Sequence, residues 1–180
     1  RVEASPRGMV PGLVVPDGSV REGGLDVREG GLSRNDPQGW LTPSGGDFVE
    51  MEAPIALNDG PFKRHLDRYK YPSRYEDTDP LHHRSEGAGI LDGLEGRLRA
   101  SAFLFGEQMS LADAAIAPFV RQIAHTDRDW FDGLALPGVQ GWLRTMLDSS
   151  VFQTVMIKFP VWEPGMAEPD FPPAETSEPS

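Results

Sequence analysis

The stretch MSLADAAIAPFVRQIAH, residues 109–125, decides how this chain folds. Ser110 stands three residues before Asp113, which is the spacing of a capping box. The serine side chain accepts from the backbone N–H near Asp113, and the Asp113 carboxylate reaches back to the Ser110 N–H. Met109, just ahead of the cap, is placed to staple onto the first turn. Beyond it Leu111, Ala115, Phe119 and Ile123 make one apolar stripe, with Ala112, Ile116 and Val120 beside it. A helix this apolar is expected at the centre of a bundle. Pro118 is expected to kink it, because proline removes one hydrogen bond and crowds the preceding turn. A hydroxyl–carboxylate pair also invites a catalytic reading, but capping consumes both groups. Ser110 and Asp113 are therefore read as structural.

Helical spacing extends on both sides of this element. From Asp47 onward Phe48, Met51 and Ile55, then Phe62, Leu66 and Tyr69, recur as they would on one side of a helix. A further helix fits 81–99, with Ile90, Leu91, Leu94 and Leu98 on one face; Gly87, Gly89, Gly93 and Gly96 weaken it and lie mostly off that face. Shorter helices fit 138–148 and 149–158. The segment 163–180, EPGMAEPDFPPAETSEPS, is rich in proline and acid with little to bury, and reads as a disordered tail.

Ahead of the helices the pattern is different. Leu13, Val14 and Val15 form a short strand-like run, Pro16-Asp17-Gly18 supplies turn chemistry, and a second strand fits Ser19–Glu22. The stretch VREGGLDVREGGLS (20–33) then says VREGGL twice. It lacks the glycine spacing and the Lys-Ser/Thr of a phosphate loop, and two repeats make no coiled coil. A local duplication is the favoured reading. The following SRNDPQGWLTPSGGD (33–47) reads as a linker.

The 180 residues allow one full domain, or one domain and part of another. A net charge of −11 spread along the chain argues against nucleic acid and anionic membranes, since both need clustered Lys and Arg. No run approaches the roughly 20 apolar residues of a membrane helix. Cysteine is absent, which removes disulfides, thiolate metal sites and thiol nucleophiles from these residues, and a reducing, cytoplasmic location fits. The chain opens at Arg1 rather than Met, so an incomplete N-terminus is expected.

Taken together, SPRGMVPGLVVPDGSV (5–20), FLFGEQMSLADAAIAPFV (103–120), FVRQIAHTDRDWF (119–131) and VMIKFPVW (155–162) resemble the glutathione S-transferase family, and in particular its bacterial glutathione transferase-like proteins. The resemblance spans nearly all of 4–165. It implies an α+β, mostly α, fold: a partial thioredoxin-like β-hairpin in a glutathione-binding unit (1–32), the linker (33–46), an all-helical C-terminal domain (47–162) and the tail (163–180). It also implies that the family's opening β-α-β unit, with its catalytic Ser, Cys or Tyr, would lie before Arg1.

The activity implied is conjugation of glutathione thiolate to a small electrophile, or exchange of glutathione disulfides. Glutathione is then a co-substrate and no other cofactor is expected; a homodimer is an open expectation. By resemblance Pro11 would be a cis-proline that exposes the Val10 backbone to the glutathione cysteinyl unit, with Arg7 a further contact. The family's Glu-Ser pair for the γ-glutamyl end falls on Gly23 and Gly24, and a one-residue slip lets Glu22 stand in for the acid. The alternative reading is a non-catalytic helical module, derived from the same family, that binds a partner or dimerises.

Other side chains have both a plain and a functional reading. Arg121 and His125 are four residues apart on the central helix, beside Asp127 and Trp130. They could line a pocket floor or anchor the carboxylate of glutathione, and a structural ion pair with a carboxylate such as Asp127 is the favoured reading. Tyr69, Tyr71 and Tyr75 could each offer a hydroxyl to a pocket or simply pack between helices. His65, His82, His83 and His125 show no metal-ligand spacing, and adjacent His82 and His83 are expected on opposite sides of a helix, so no metal site is expected.

Overall fold

The computed structural model describes residues 12–14, 20–22, 32–161 and 163–167. Two short strands, β1 (Gly12–Val14) and β2 (Val20–Glu22), pair antiparallel with Gly12 opposite Glu22 and Val14 opposite Val20. Residues 15–19, which hold the expected turn, lie outside the described residues. Whether a thioredoxin-like unit surrounds the two strands lies outside the described residues, as do most of the duplicated stretch and most of the tail.

The helices begin where a carboxylate or hydroxyl can take the first free N–H groups. Helix α1 (Phe48–Leu57) starts on a capping box: Asp47 accepts from the Glu50 N–H at 2.9 Å, and Glu50 accepts from the Asp47 N–H at 3.1 Å. It runs through a π-helical turn (Asn58–Phe62) containing Pro61, which has no N–H to give, into α2 (Lys63–Lys70). Helix α3 (Pro80–Leu98) has Asp79 as cap and proline at its first position, the place where a missing N–H costs least. Then come α4 (Leu111–Thr126), α5 (Arg128–Asp132), α6 (Pro137–Asp148) and α7 (Ser150–Val155).

Helix α4 is the centre, as the sequence required. Leu111, Ala112, Ala115, Ile116, Val120 and Ile123 are all buried. The helix packs against α1, α2, α5 and α6, while α3 lies on α2 and α6. It continues through Pro118, which sits on its exposed side, where water can serve the carbonyl that proline leaves unpaired. Phe119 is only half-buried. Among the described residues no helix is long and apolar enough to cross a membrane.

Three details differ from expectation. Gly87 lies on the packed face of α3, not off it: a Cβ there would come within 2.9 Å of Ile123 Cδ1. Helix α7 stops at Val155 rather than 158: Met156, Ile157 and Phe159 are exposed, and Pro160 follows. The segment 33–46 is also tied to the helical domain. Gly45 N–H donates to Phe105 O at 2.9 Å, and the Leu111 N–H donates to Trp40 O at 3.0 Å. Two glycines permit that approach: Gly106 holds φ at +123°, and a Cβ on Gly45 would fall 2.8 Å from the Phe105 carbonyl.

Candidate functional site

The most tightly organised polar group in the domain is the cap of α4. Asp113 is fully buried. Its Oδ2 accepts from the Ser110 N–H at 2.9 Å and the Ser110 hydroxyl at 2.6 Å; its Oδ1 accepts from the Leu104 N–H at 2.9 Å and the Trp142 indole N–H at 2.8 Å. Both halves of the capping box are present. One carboxylate thus joins the start of α4, the loop before it and helix α6. No lone pair is left for chemistry, so the structural reading of Ser110 and Asp113 stands on geometry.

Glu95 plays the same part for α6. It is buried on α3, accepts from the Gly138 and Val139 N–H groups at 3.0 and 2.9 Å, and pairs with Arg99 Nε at 2.9 Å. Burial pushes its pKa up, but those backbone N–H groups and Arg99 outweigh it and hold the carboxyl below its usual value. The sequence carried a signal here: a lone acid between Leu91, Leu94 and Leu98 on the apolar face must be satisfied by something.

The candidate pocket residues are placed less simply. Tyr69 meets Trp130 edge-on with ring centroids 6.0 Å apart, and the Arg84 guanidinium lies 5.1 Å from the Trp130 ring centroid and 5.9 Å from that of Tyr69. Arg84, not Arg121, is the ion-pair partner of Asp127, at 3.3 Å. Arg121 instead faces α7, with its guanidinium 5.6 Å from the Phe152 ring centroid. The reason is position: Asp127 caps α5 by accepting from the Trp130 N–H at 3.0 Å, which turns its other oxygen toward α3.

His125 lies on the exposed side of α4. Desolvation, followed by Arg121, Arg128 and Lys70, lowers its pKa below the ordinary 6.5. Tyr71 is flanked by Lys70 and Arg74, and Tyr75 by Arg68, each cation within 4.2–5.0 Å of the ring centroid. Tyr71 and Tyr75 are thus packed by cations. Surface clefts run elsewhere, one bordered by Gln38, Trp40, Phe103 and Met109 and another by Ser101, Gly138, Arg144 and Thr145.

For the glutathione contacts, Arg7, Val10 and Pro11 lie outside the described residues, and Glu22 is placed only through the backbone pairing of β2. Among the described residues no group of three or more His, Cys, Asp or Glu side chains could hold a metal. The structure does bring together two histidines that sequence spacing did not join. His65 and His83 stand with their Nδ1 atoms 2.9 Å apart, while the His82 and His83 rings lie 5.2 Å apart.

The buried cap, the central α4 and the helices around it define one all-helical domain. Residues 61–145 match the glutathione S-transferase C-terminal domain, and the helical domain belongs to that family. The fold is also that of solved glutathione S-transferases. It is similar to one from Rhodospirillum rubrum (TM-score 0.69, 20% identity, covering 89% of this chain and 76% of that one). A glutathione transferase from Phanerochaete chrysosporium, solved with oxidized glutathione, gives 0.69 at 16% identity over 86% and 74% of the two chains. Glutathione S-transferase I bound to lactoylglutathione gives 0.69 at 19% over 86% and 77%. A comparison with curated protein sequences finds no significant match.

Proposed function

We propose that this chain is a glutathione S-transferase-like protein, and that its helical domain forms the wall against which a small electrophile is held. The observation that carries this reading is the match of residues 61–145 to the glutathione S-transferase C-terminal domain. In the conjugation reaction the glutathione sulfur, as thiolate, forms a bond to an electrophilic carbon, and the displaced group leaves with the electron pair. In the exchange reaction the thiolate attacks a disulfide sulfur and releases the other thiolate. Either reaction gains from holding both reactants in one orientation. Arg7, Val10, Pro11 and Glu22 are the proposed glutathione contacts, and Tyr69, Arg121 and His125 the proposed electrophile side. A reducing cytoplasm suits a thiol co-substrate.

Retention on a glutathione matrix, with elution by free reduced glutathione, tests this reading. Specific elution is the expected result; flow-through of folded protein overturns it. A second reading, a helical module that binds a partner or a second copy, draws support from one feature: Tyr69 is packed against Trp130 and Arg121 is aimed at Phe152. Flow-through combined with a dimer on size-exclusion chromatography would favour that module.

A further inference from the structure

Across the seam between α2 and α3, His65 and His83 face each other through their Nδ1 atoms at 2.9 Å, with ring planes tilted by 49°. A hydrogen bond between two ring nitrogens uses one proton: one Nδ1–H donates and the other Nδ1 accepts with its lone pair. The contact is therefore made by two neutral rings in opposite tautomers, or by one imidazolium donating to a neutral ring. Two imidazolium rings would set two N–H groups head to head. We propose that the His65–His83 pair is an acid-released latch on the α2–α3 seam, closed while the rings share a proton and open when both are charged.

The surroundings favour the closed form at neutral pH. His65 is subject to burial first, then to His83, Arg64 and His82, with Glu86 opposing them; its pKa lies below the ordinary 6.5. His83 is subject to burial, then to His82 and Arg68, with Asp79 and Glu86 opposing, and it too lies below 6.5. Arg64 and Arg68 come from α2, His82 and Glu86 from α3, and Asp79 from the cap of α3.

Because the folded values are depressed, the unfolded chain takes up protons first on acidification. The stabilisation is intact above about 6.5 and is lost as pH falls toward and through the lower folded values. The seam continues to a second junction. Tyr69 lies one turn beyond His65 on α2, and Arg84 follows His83 on α3, and both rest on Trp130. Opening the latch therefore loosens the contact that joins α2 and α3 to α5.

Two measurements on the full chain test this. Long-range 1H–15N NMR of the imidazoles should show His65 and His83 in opposite tautomers at alkaline pH, both titrating below 6.5. Both rings in one tautomer with independent midpoints at 6.5, or ring shifts that change on adding EDTA, would overturn the proposal. In thermal melts, His83→Asn keeps a short amide that can reach His65 but cannot gain a proton. Its melting temperature should fall less than that of the wild type as pH is lowered through 6.5. An equal fall in both proteins would also overturn the latch.

Discussion

Asp113→Asn is the sharpest test of how this domain is held together. Four donors converge on the wild-type carboxylate: Leu104 N–H and Trp142 Nε1–H on one oxygen, Ser110 N–H and its hydroxyl on the other. An asparagine keeps one acceptor oxygen and puts an NH2 where the other stood, so donor faces donor on one side whichever way the amide is turned. The hydroxyl can rotate away, but the backbone and indole N–H groups cannot. Each buried donor left without an acceptor costs about 1–3 kcal/mol. Asp113→Asn is therefore expected to cost about 3 kcal/mol, and Asp113→Ala, which strands three N–H donors, about 4.

For a chain of this size each kcal/mol moves the melting temperature by roughly 2–4 °C, so the alanine variant should melt about 8–16 °C lower. Trp142→Phe removes one donor and leaves the other three satisfied, and should cost about 1–2 kcal/mol. Because Trp142 and Asp113 share one bond, the double variant should be milder than the sum of the two singles. Circular dichroism melts with a urea titration measure all of this. An Asp113→Asn protein that melts with the wild type would refute the account, since it would mean the interior supplies those donors with another acceptor.

Other expectations follow from neighbouring features. Ser110→Ala should cost about 1 kcal/mol of stability while leaving retention on a glutathione matrix unchanged; lost retention at an unchanged melting temperature would show that the hydroxyl acts in binding. Glu95→Gln keeps a carbonyl oxygen for the start of α6 but loses the charge, for about 2 kcal/mol at neutral pH. Because the folded Glu95 pKa lies below 4.5, the wild-type advantage is present above that value and should vanish as pH falls through the folded one, seen as converging urea midpoints. Gly89, Gly93 and Gly96 have open space where a Cβ would stand, so changing all three to alanine should add about 2 kcal/mol. Gly87→Ala should instead destabilise by about 1–2 kcal/mol, because its Cβ meets Ile123 at 2.9 Å.

The parts of the fold that could be read from sequence were those decided within a few residues. The Ser110–Asp113 box and the stripe through Leu111, Ala115 and Ile123 need only local spacing, and both are present. The remaining reach of Asp113, to Leu104 and to Trp142 29 residues on, depends on tertiary packing and left no periodic mark. The same applies to Asp127. Arg121 is the nearer cation in sequence, yet the capping geometry turns the free oxygen to Arg84, 43 residues away. His65 and His83 are 18 apart on different helices, so ligand spacing along one helix could not find them. Glu95 was legible as a problem, an acid on an apolar face, but its answer lay at the start of another helix.

These nodes also give a use to part of the acidic composition. Asp36, Asp47, Asp79, Glu95, Asp113 and Asp127 each accept from backbone N–H groups at a turn or near the start of a helix. There a carboxylate meets both unpaired donors and the positive end of the helix dipole. The cations are used differently, with Arg68, Lys70, Arg74, Arg84, Arg97 and Arg121 lying over aromatic rings. A guanidinium on a ring face keeps its charge and several N–H donors, whereas a buried capping carboxylate has given up its lone pairs.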